Sequence, residues 1–435
     1  MAHQPLIFVS IASYRDPQLI PTIQDALAKA ARPENLRFGI CWQHSDDHGA
    51  LPFASDPRFR ILDVDWRESR GCCWARAESQ KLYDDESWYL QLDAHHRFAP
   101  NWDRTLLATA VRTGSDKPIL TGLTPGFKPH DPNSFECEPK QTDFRQFSID
   151  GTVESFQSTA IAGWRDRRDP IRARFVTAGF IFAPGSFVAD VPYDSELMFW
   201  GEEITLSVRA YTCGYDFFTP TEIVLWHFYV ENFDSGAEAA AKHSHNYYVD
   251  HPECGPQDRS ATERVRRFLR EPFDCGTVRT LADYEQYAGL SFNDRAVSSH
   301  TMRKLEPPNP PLPDGWADRR YNIEITFNPA KLPIEFTRLW FSARDADEFE
   351  VYGEVIEANE LRLNHLTYAP VGRIGFEFAS EHEPFYWTLM AFQGGRWHRL
   401  FYGTAHSGTR ARGIHLEAVE QAHATAMASD VAVGT

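Results

Sequence analysis

The spacing of apolar residues changes along the chain, and each spacing predicts a different element. Leu6–Ser10 is a short, nearly continuous apolar run, the pattern of a strand buried on both faces of a parallel sheet. Asp16-Pro17 then starts a helix, with Asp16 as N-cap and Pro17 at the first helical position. Leu19, Ile23 and Leu27 recur at every fourth position and form one apolar face. Arg37–Trp42 and Arg60–Val64 predict the next strands, and residues 74–83 a helix. Trp88–Leu92 predicts a strand that runs straight into Asp93-Ala94-His95-His96. Residues 124–172 are polar and irregular, a long loop of the kind that serves as a lid or binding loop. Apolar runs resume at Phe175–Phe182. Ile204, Val208 and Tyr211 mark a helix face, and Ile223–Trp226 is a strand ending at His227. Strand–helix–strand repetition over residues 1–305 predicts an α/β unit with a mostly parallel sheet.

The texture then changes. Residues 306–315 hold five prolines, so they form an extended linker. Beyond it come seven short, alternating or aromatic-rich runs: Tyr321–Phe327, Leu339–Ala343, Phe349–Ile356, Leu361–Thr367, Arg373–Phe378, Tyr386–Phe392 and Trp397–Tyr402. They predict a β-sandwich accessory domain over 316–418, followed by a flexible tail at 419–435.

Composition narrows the function classes. The 435 residues are 42% hydrophobic, 14% aromatic and 24% charged, which rules out wholesale disorder. With 44 basic against 61 acidic residues the net charge is −17, which repels phosphates and argues against a nucleic-acid partner. A local basic groove remains compatible with that total. Seven cysteines lack any Cys-x-x-Cys pair and read as reduced thiols in a cytoplasmic protein. No apolar run approaches the roughly 18–20 residues of a membrane span. No P-loop or Gly-x-Ser-x-Gly motif occurs.

The candidate chemistry sits at strand ends. Asp93 and His95 stand two apart just past an apolar strand, where open α/β sheets bind ligands. In extended backbone such residues point the same way, so both can face one divalent ion, and a carboxylate with an imidazole suits Mn²⁺. His227, past another strand, is the natural third ligand. A solvated strand-end Asp with a packed His gives the same spacing, so the pair alone leaves both readings open. Glu202 and Glu203 stand at a predicted helix start, where the dipole favours carboxylates for capping or for binding. His96 should point away from His95. His243 and His245 form a His-x-His pair, and residues 237–242 a short helix to which we assign no chemistry.

Five segments in order carry a resemblance: Val9-Ser-Ile-Ala-Ser-Tyr-Arg-Asp16, Cys73-Trp-Ala-Arg76, Tyr89-Leu-Gln-Leu-Asp-Ala-His95, Thr177-Ala-Gly-Phe-Ile-Phe-Ala-Pro184 and Phe199-Trp-Gly-Glu-Glu-Ile204. They resemble the GlcNAc-transferase family typified by the cytoplasmic Skp1 hydroxyproline N-acetylglucosaminyltransferase. Gly276–Tyr284 resembles a late segment of bacterial members. The resemblance covers residues 6–295 and stops before the β-rich end. It implies a GT-A fold, a retaining glycosyltransferase, a UDP-GlcNAc donor, Mn²⁺ or another divalent cation, and a hydroxyl acceptor on a protein (hydroxyproline is the precedent) or a glycan. Asp93-Ala94-His95 matches the family's Asp-x-His metal motif, with Asp93 also on the donor side, and His227 falls where the third ligand is expected. Glu202 or Glu203 matches the acceptor-side carboxylate; the register is open by one. Arg76 lies where related enzymes place a basic residue near the sugar nucleotide, although a surface salt bridge would look the same. Ala12, Ser13 and Tyr14 end the first strand, where GT-A enzymes bind uridine. The family favours front-face attack, so no nucleophile is implied.

Two other classes compete. One carboxylate and two imidazoles also form the facial triad of non-haem Fe(II) oxygenases, here with the motif order reversed. An inactive carbohydrate-binding protein would instead use exposed aromatics of the β domain, such as Trp387 or Trp397, to stack on sugars.

Overall fold

The computed structural model describes residues 5–45, 49–147, 153–199, 201–229, 250, 255–327, 336–357, 372–394 and 396–404. The chain divides into two compact units, Met1–Pro313 and Asp314–Thr435.

The first unit is built on an eight-stranded sheet. Strands β1 (Ile7–Tyr14), β2 (Leu36–His44), β3 (Phe59–Asp65) and β4 (Trp88–Asp93) run parallel in the spatial order β3-β2-β1-β4. β1 alternates between two cores: Phe8 enters one, and Ile7, Val9 and Ile11 enter the other. That double burial is why its sequence is nearly continuous in apolar residues. Helix α1 (Leu19–Lys29) buries Leu19, Ile23 and Ala26. It begins two residues later than its Asp-Pro signal suggested. Asp16 still accepts the N–H of Gln18 at 2.8 Å, but with only one of its oxygens. Helix α2 (Cys72–Gln80) precedes β4. After β4 come β5 (His96–Phe98), helix α3 (Trp102–Arg112) and β6 (Pro118–Thr121).

The long polar segment differs from its sequence reading. It holds a hairpin of β7 (Lys140–Phe147) and β8 (Val153–Ala160). Thr142, Phe144 and Phe147 are buried, and Phe156 stacks on Phe175 at 4.5 Å between ring centres. A hairpin with one buried face and a register shift near Gln146 mixes polar and apolar residues too irregularly to show a strand period.

After β9 (Ile171–Arg172), β10 (Phe180–Pro184) enters the main sheet antiparallel, between β4 and β6. The short helix α4 (Phe187–Asp190) and helix α5 (Glu202–Thr212) follow. β11 (Asp216–Thr219) joins β6 in parallel, with β9 outside it. β12 (Leu225–His227) pairs with β5 away from the main sheet, setting His227 opposite His96. No helix among the described residues is long and apolar enough to cross a membrane.

The second unit is all β among its described residues. Arg338–Arg344, Glu350–Glu357, Tyr386–Gln393 and Arg396–Thr404 form an antiparallel sheet, and Arg320–Phe327 pairs with Gly372–Ser380. Both groups feed one apolar core in which Phe341 stacks on Phe376 at 3.7 Å. Trp387 is 1% exposed in that core, so its indole is not available to sugars. Trp397 is half-buried and sits 5.1 Å from Phe392 between ring centres. The strand expected at 361–367 and the tail at 419–435 lie outside the described residues.

Candidate metal and carboxylate site

Parallel strands deliver their C-terminal ends to one edge of the sheet. Ala12 lies directly beside Asp93 in the β1–β4 ladder, so the end of the first strand and the first candidate ligand are neighbours. Asp93 closes β4, and the backbone turns sharply before β5. His227 ends β12, which the β5 ladder holds against that turn. Apolar strands that stop abruptly at polar residues thus bring three candidate ligands together.

The geometry is tight. His227 Nε2 lies 3.2 Å from Asp93 Oδ2 and 3.0 Å from His95 Nε2. His95 Nε2 lies 4.0 Å from Asp93 Oδ2. The donor atoms of Asp93, His95 and His227 all fall within 4.8 Å of one another. Ligands about 2.1 Å from a common ion stand about 3 Å apart at neighbouring positions, so this set fits a divalent cation. Asp16 supplies the supporting contact. Its Oδ2 receives His95 Nδ1–H at 2.7 Å, which directs the Nε2 lone pair to the shared point. Sequence reasoning treated Asp16 as a cap and missed this second use.

The other side of Asp93 is an ion-pair network. Arg76 donates through Nη2 to Asp93 Oδ1 at 2.6 Å and through Nη1 to Glu202 Oε1 at 2.5 Å. Arg76 is 3% and Glu202 4% exposed, so the surface salt bridge is replaced by a buried one. Cys73 donates its thiol to Glu202 Oε2 at 3.1 Å. Burial opposes ionisation of Asp93, but Arg76 and the two imidazoles outweigh it and hold the carboxyl well below its usual range.

Glu202 and Glu203 open α5 behind Gly201, which adopts the left-handed conformation at φ 81°. The two carboxylates diverge. Glu202 faces Arg76, whereas Glu203 accepts the N–H of Ala178 at 2.9 Å. Burial, with Glu202 adding like-charge repulsion, pushes Glu203 up to about 7. Gly179, from the quoted Thr177-Ala-Gly-Phe segment, was also missed as a site residue. A Cβ there would stand 3.0 Å from Asp93 Oδ2, so the backbone passes closely over the carboxylate.

The remaining candidates are placed as follows. Ser13 and Tyr14 are buried at the end of β1, and Tyr14 donates its hydroxyl to Asp250 Oδ2 at 3.0 Å. His96 is fully buried, with Nδ1 3.0 Å from the Trp226 carbonyl, so it is not a solvent-exposed residue. His243, His245 and residues 237–242 lie outside the described residues.

Residues 6–57 and 52–294 match the family described as GlcNAc, Glycosyltransferase (GlcNAc). That is more than half of the chain, and the chain belongs to this glycosyltransferase family. The match ends before the second unit begins. No curated protein matches. Among solved structures, the chain is similar to GalNAc-T7 with UDP, GalNAc and Mn²⁺, at 15% identity and TM-score 0.41, covering 65% of this chain and 54% of that one. It is also similar to S. aureus TarS 1-349, at 11% identity and TM-score 0.39, covering 67% of this chain and 71% of that one. The chain therefore spans about half the length of the GalNAc-T7 chain.

Proposed function

We propose that this glycosyltransferase is a GT-A, retaining, metal-dependent enzyme that moves GlcNAc from UDP-GlcNAc to a hydroxyl acceptor. The acceptor is a protein side chain, with hydroxyproline as precedent, or a glycan hydroxyl. The observation that carries the reading is the convergence of Asp93, His95 and His227 within 4.8 Å at strand ends of a glycosyltransferase-family chain. Four carboxylates (Asp16, Asp93, Glu202 and Glu203) and one arginine make this an unfavourable place for a diphosphate unless a cation joins them.

Asp93, His95 and His227 would hold Mn²⁺ or a similar ion, which stabilises negative charge on a departing UDP. The chain's own groups do the positioning. Asp16 fixes the His95 tautomer, and Arg76 locks Asp93 and Glu202 to one another. Arg76 and the Ala12–Tyr14 strand end bound the donor side. Glu202 and Glu203 bound the acceptor side. Glu203, titrating near neutrality, is suited to hydrogen-bond a sugar or acceptor hydroxyl in either protonation state. With front-face attack the departing phosphate takes the acceptor proton, and no side chain serves as nucleophile. A cytoplasmic site of action fits the six described cysteines, all of which are free thiols.

The test is UDP release from a panel of UDP-sugars, with Mn²⁺ and with EDTA. Release from UDP-GlcNAc that needs the metal is expected. Asp93→Ala and His227→Ala should each lower it by at least about 100-fold while thermal unfolding stays cooperative. Full activity in either variant would sink the metal assignment. Absence of UDP binding by calorimetry in the presence of Mn²⁺ would sink the enzymatic reading.

A further inference from the structure

We propose that a basic cavity beside the carboxylate site docks an acidic peptide segment of the acceptor; this rests on the glycosyltransferase reading above. The cavity has a volume of about 880 Å³, within the range of ligand sites. Five arginines (70, 264, 266, 267 and 270) line it against three glutamates, in a chain whose net charge is −17. Most come from the helix Gly255–Arg270.

The arginines are not equally engaged. Arg264 is held by Asp194 at 2.6 Å and Glu196 at 2.7 Å, and Arg266 by Glu263 at 2.6 Å. Arg70, Arg267 and Arg270 form no ion pair among the described residues, and all three are exposed. Arg267 lies 4.9 Å over Phe273 and Arg70 5.8 Å over Trp74, so aromatic faces hold these two guanidinium groups and leave their charge unmatched. Guanidinium groups pair with carboxylates through two parallel hydrogen bonds.

The segments that wall the cavity also lead along the chain to the proposed acceptor side. Met198, in its wall, accepts the Cys72 N–H at 3.0 Å, and α2 continues from there to Arg76. A Cβ on Gly71 would come within 2.4 Å of Met198 Sδ, so the two segments are packed without slack. The same wall segment leads into Glu202. The occupant is a peptide rather than an acidic glycan for one reason. No described lining residue is aromatic, so a sugar ring lacks a stacking surface, whereas peptide carboxylates need only the unmatched guanidinium groups.

The experiment uses the full chain and fluorescence anisotropy with a labelled octaglutamate peptide. Octaglutamine and polygalacturonate serve as comparisons. Octaglutamate should bind, weaken as salt rises, and bind at least about 10-fold less tightly to the Arg267→Glu/Arg270→Glu variant. That variant should gain affinity for octalysine, which a misfolded chain would not do. Arg70→Glu should weaken octaglutamate independently. Failure of octaglutamate to bind, equal binding by octaglutamine or by the double variant, or tighter binding of polygalacturonate would each overturn the proposal. UDP binding to the unmutated chain with Mn²⁺ separates the readings. If UDP binds and octaglutamate does not, only the docking site falls; if UDP does not bind, both fall.

Discussion

Asp93 divides its surroundings into two halves that are built differently. Toward Arg76, charge is matched by charge within the protein: Asp93 Oδ1 and Glu202 Oε1 share one buried guanidinium. Toward His95 and His227, lone-pair donors converge on one point, and the supporting carboxylate of Asp16 meets His95 at its far nitrogen. The arginine half is closed by a covalently resident cation. The histidine half, in the proposed function, is closed by an exchangeable one. One carboxylate thus has a fixed side that sets its position and a second side left for ligation, and the two sides should fail differently when altered.

The largest expected effect is on the closed half. Arg76→Met leaves buried Glu202 and the partly buried Asp93 without their shared cation, and should lower unfolding free energy by about 3–5 kcal/mol. Adding Glu202→Gln should recover a good part of that loss, because the uncompensated charge goes with it. Urea unfolding of the single and double variants measures both. Equal stability of Arg76→Met and the unaltered chain would mean the network is not the fixed side described here.

Glu203 sharpens the comparison by pH. Its ordinary value of 4.5 is raised to about 7 in the folded chain. Between these values the folded state holds a proton that the unfolded state has lost. The stability contribution is therefore complete below about 4.5 and is lost as pH rises through about 7. Its size is on the order of 3 kcal/mol. Metal-free Glu203→Gln should lack this pH-dependent component and should be more stable than the unaltered chain at pH near 8. A variant with the same stability–pH profile as the unaltered chain would assign that slope to other groups. Glu202→Gln should narrow the window, since Glu202 repulsion is one of its causes.

What the sequence revealed follows from the range of each interaction. Asp93, His95 and His227 are legible because apolar strands end on them, and strand ends are where such sheets bind ligands. The α/β first unit and the β-rich second unit are legible for the same reason: spacing is a local signal. The bond from Arg76 to Glu202 joins residues 126 apart, and no local pattern encodes it. The β7–β8 hairpin was obscured by its register shift and its single buried face. Asp16 shows how a correct local reading can hide a distant one. Its helix-start signal is genuine in that Oδ1 takes the Gln18 N–H, but that bond uses only half of the carboxylate. The other half depends on β4 arriving beside β1, which only the folded sheet supplies.

That second oxygen gives the smallest effect and the most direct probe of the histidine half. Asp16→Asn keeps an acceptor for Gln18 if the amide oxygen takes the Oδ1 place, and then presents NH₂ rather than O⁻ to His95 Nδ1. The imidazole must respond by carrying its proton on Nε2, the atom aimed at His227 and Asp93. Mn²⁺ affinity should fall about 10–100-fold, with UDP release following at limiting metal and recovering as Mn²⁺ is raised. Unfolding free energy should change far less than in Arg76→Met, because no charge is left buried without its partner. Unchanged Mn²⁺ affinity would show that Asp16 does not set the His95 tautomer. Loss of activity that excess metal fails to restore would place Asp16 in the donor site itself and erase the distinction between the two halves.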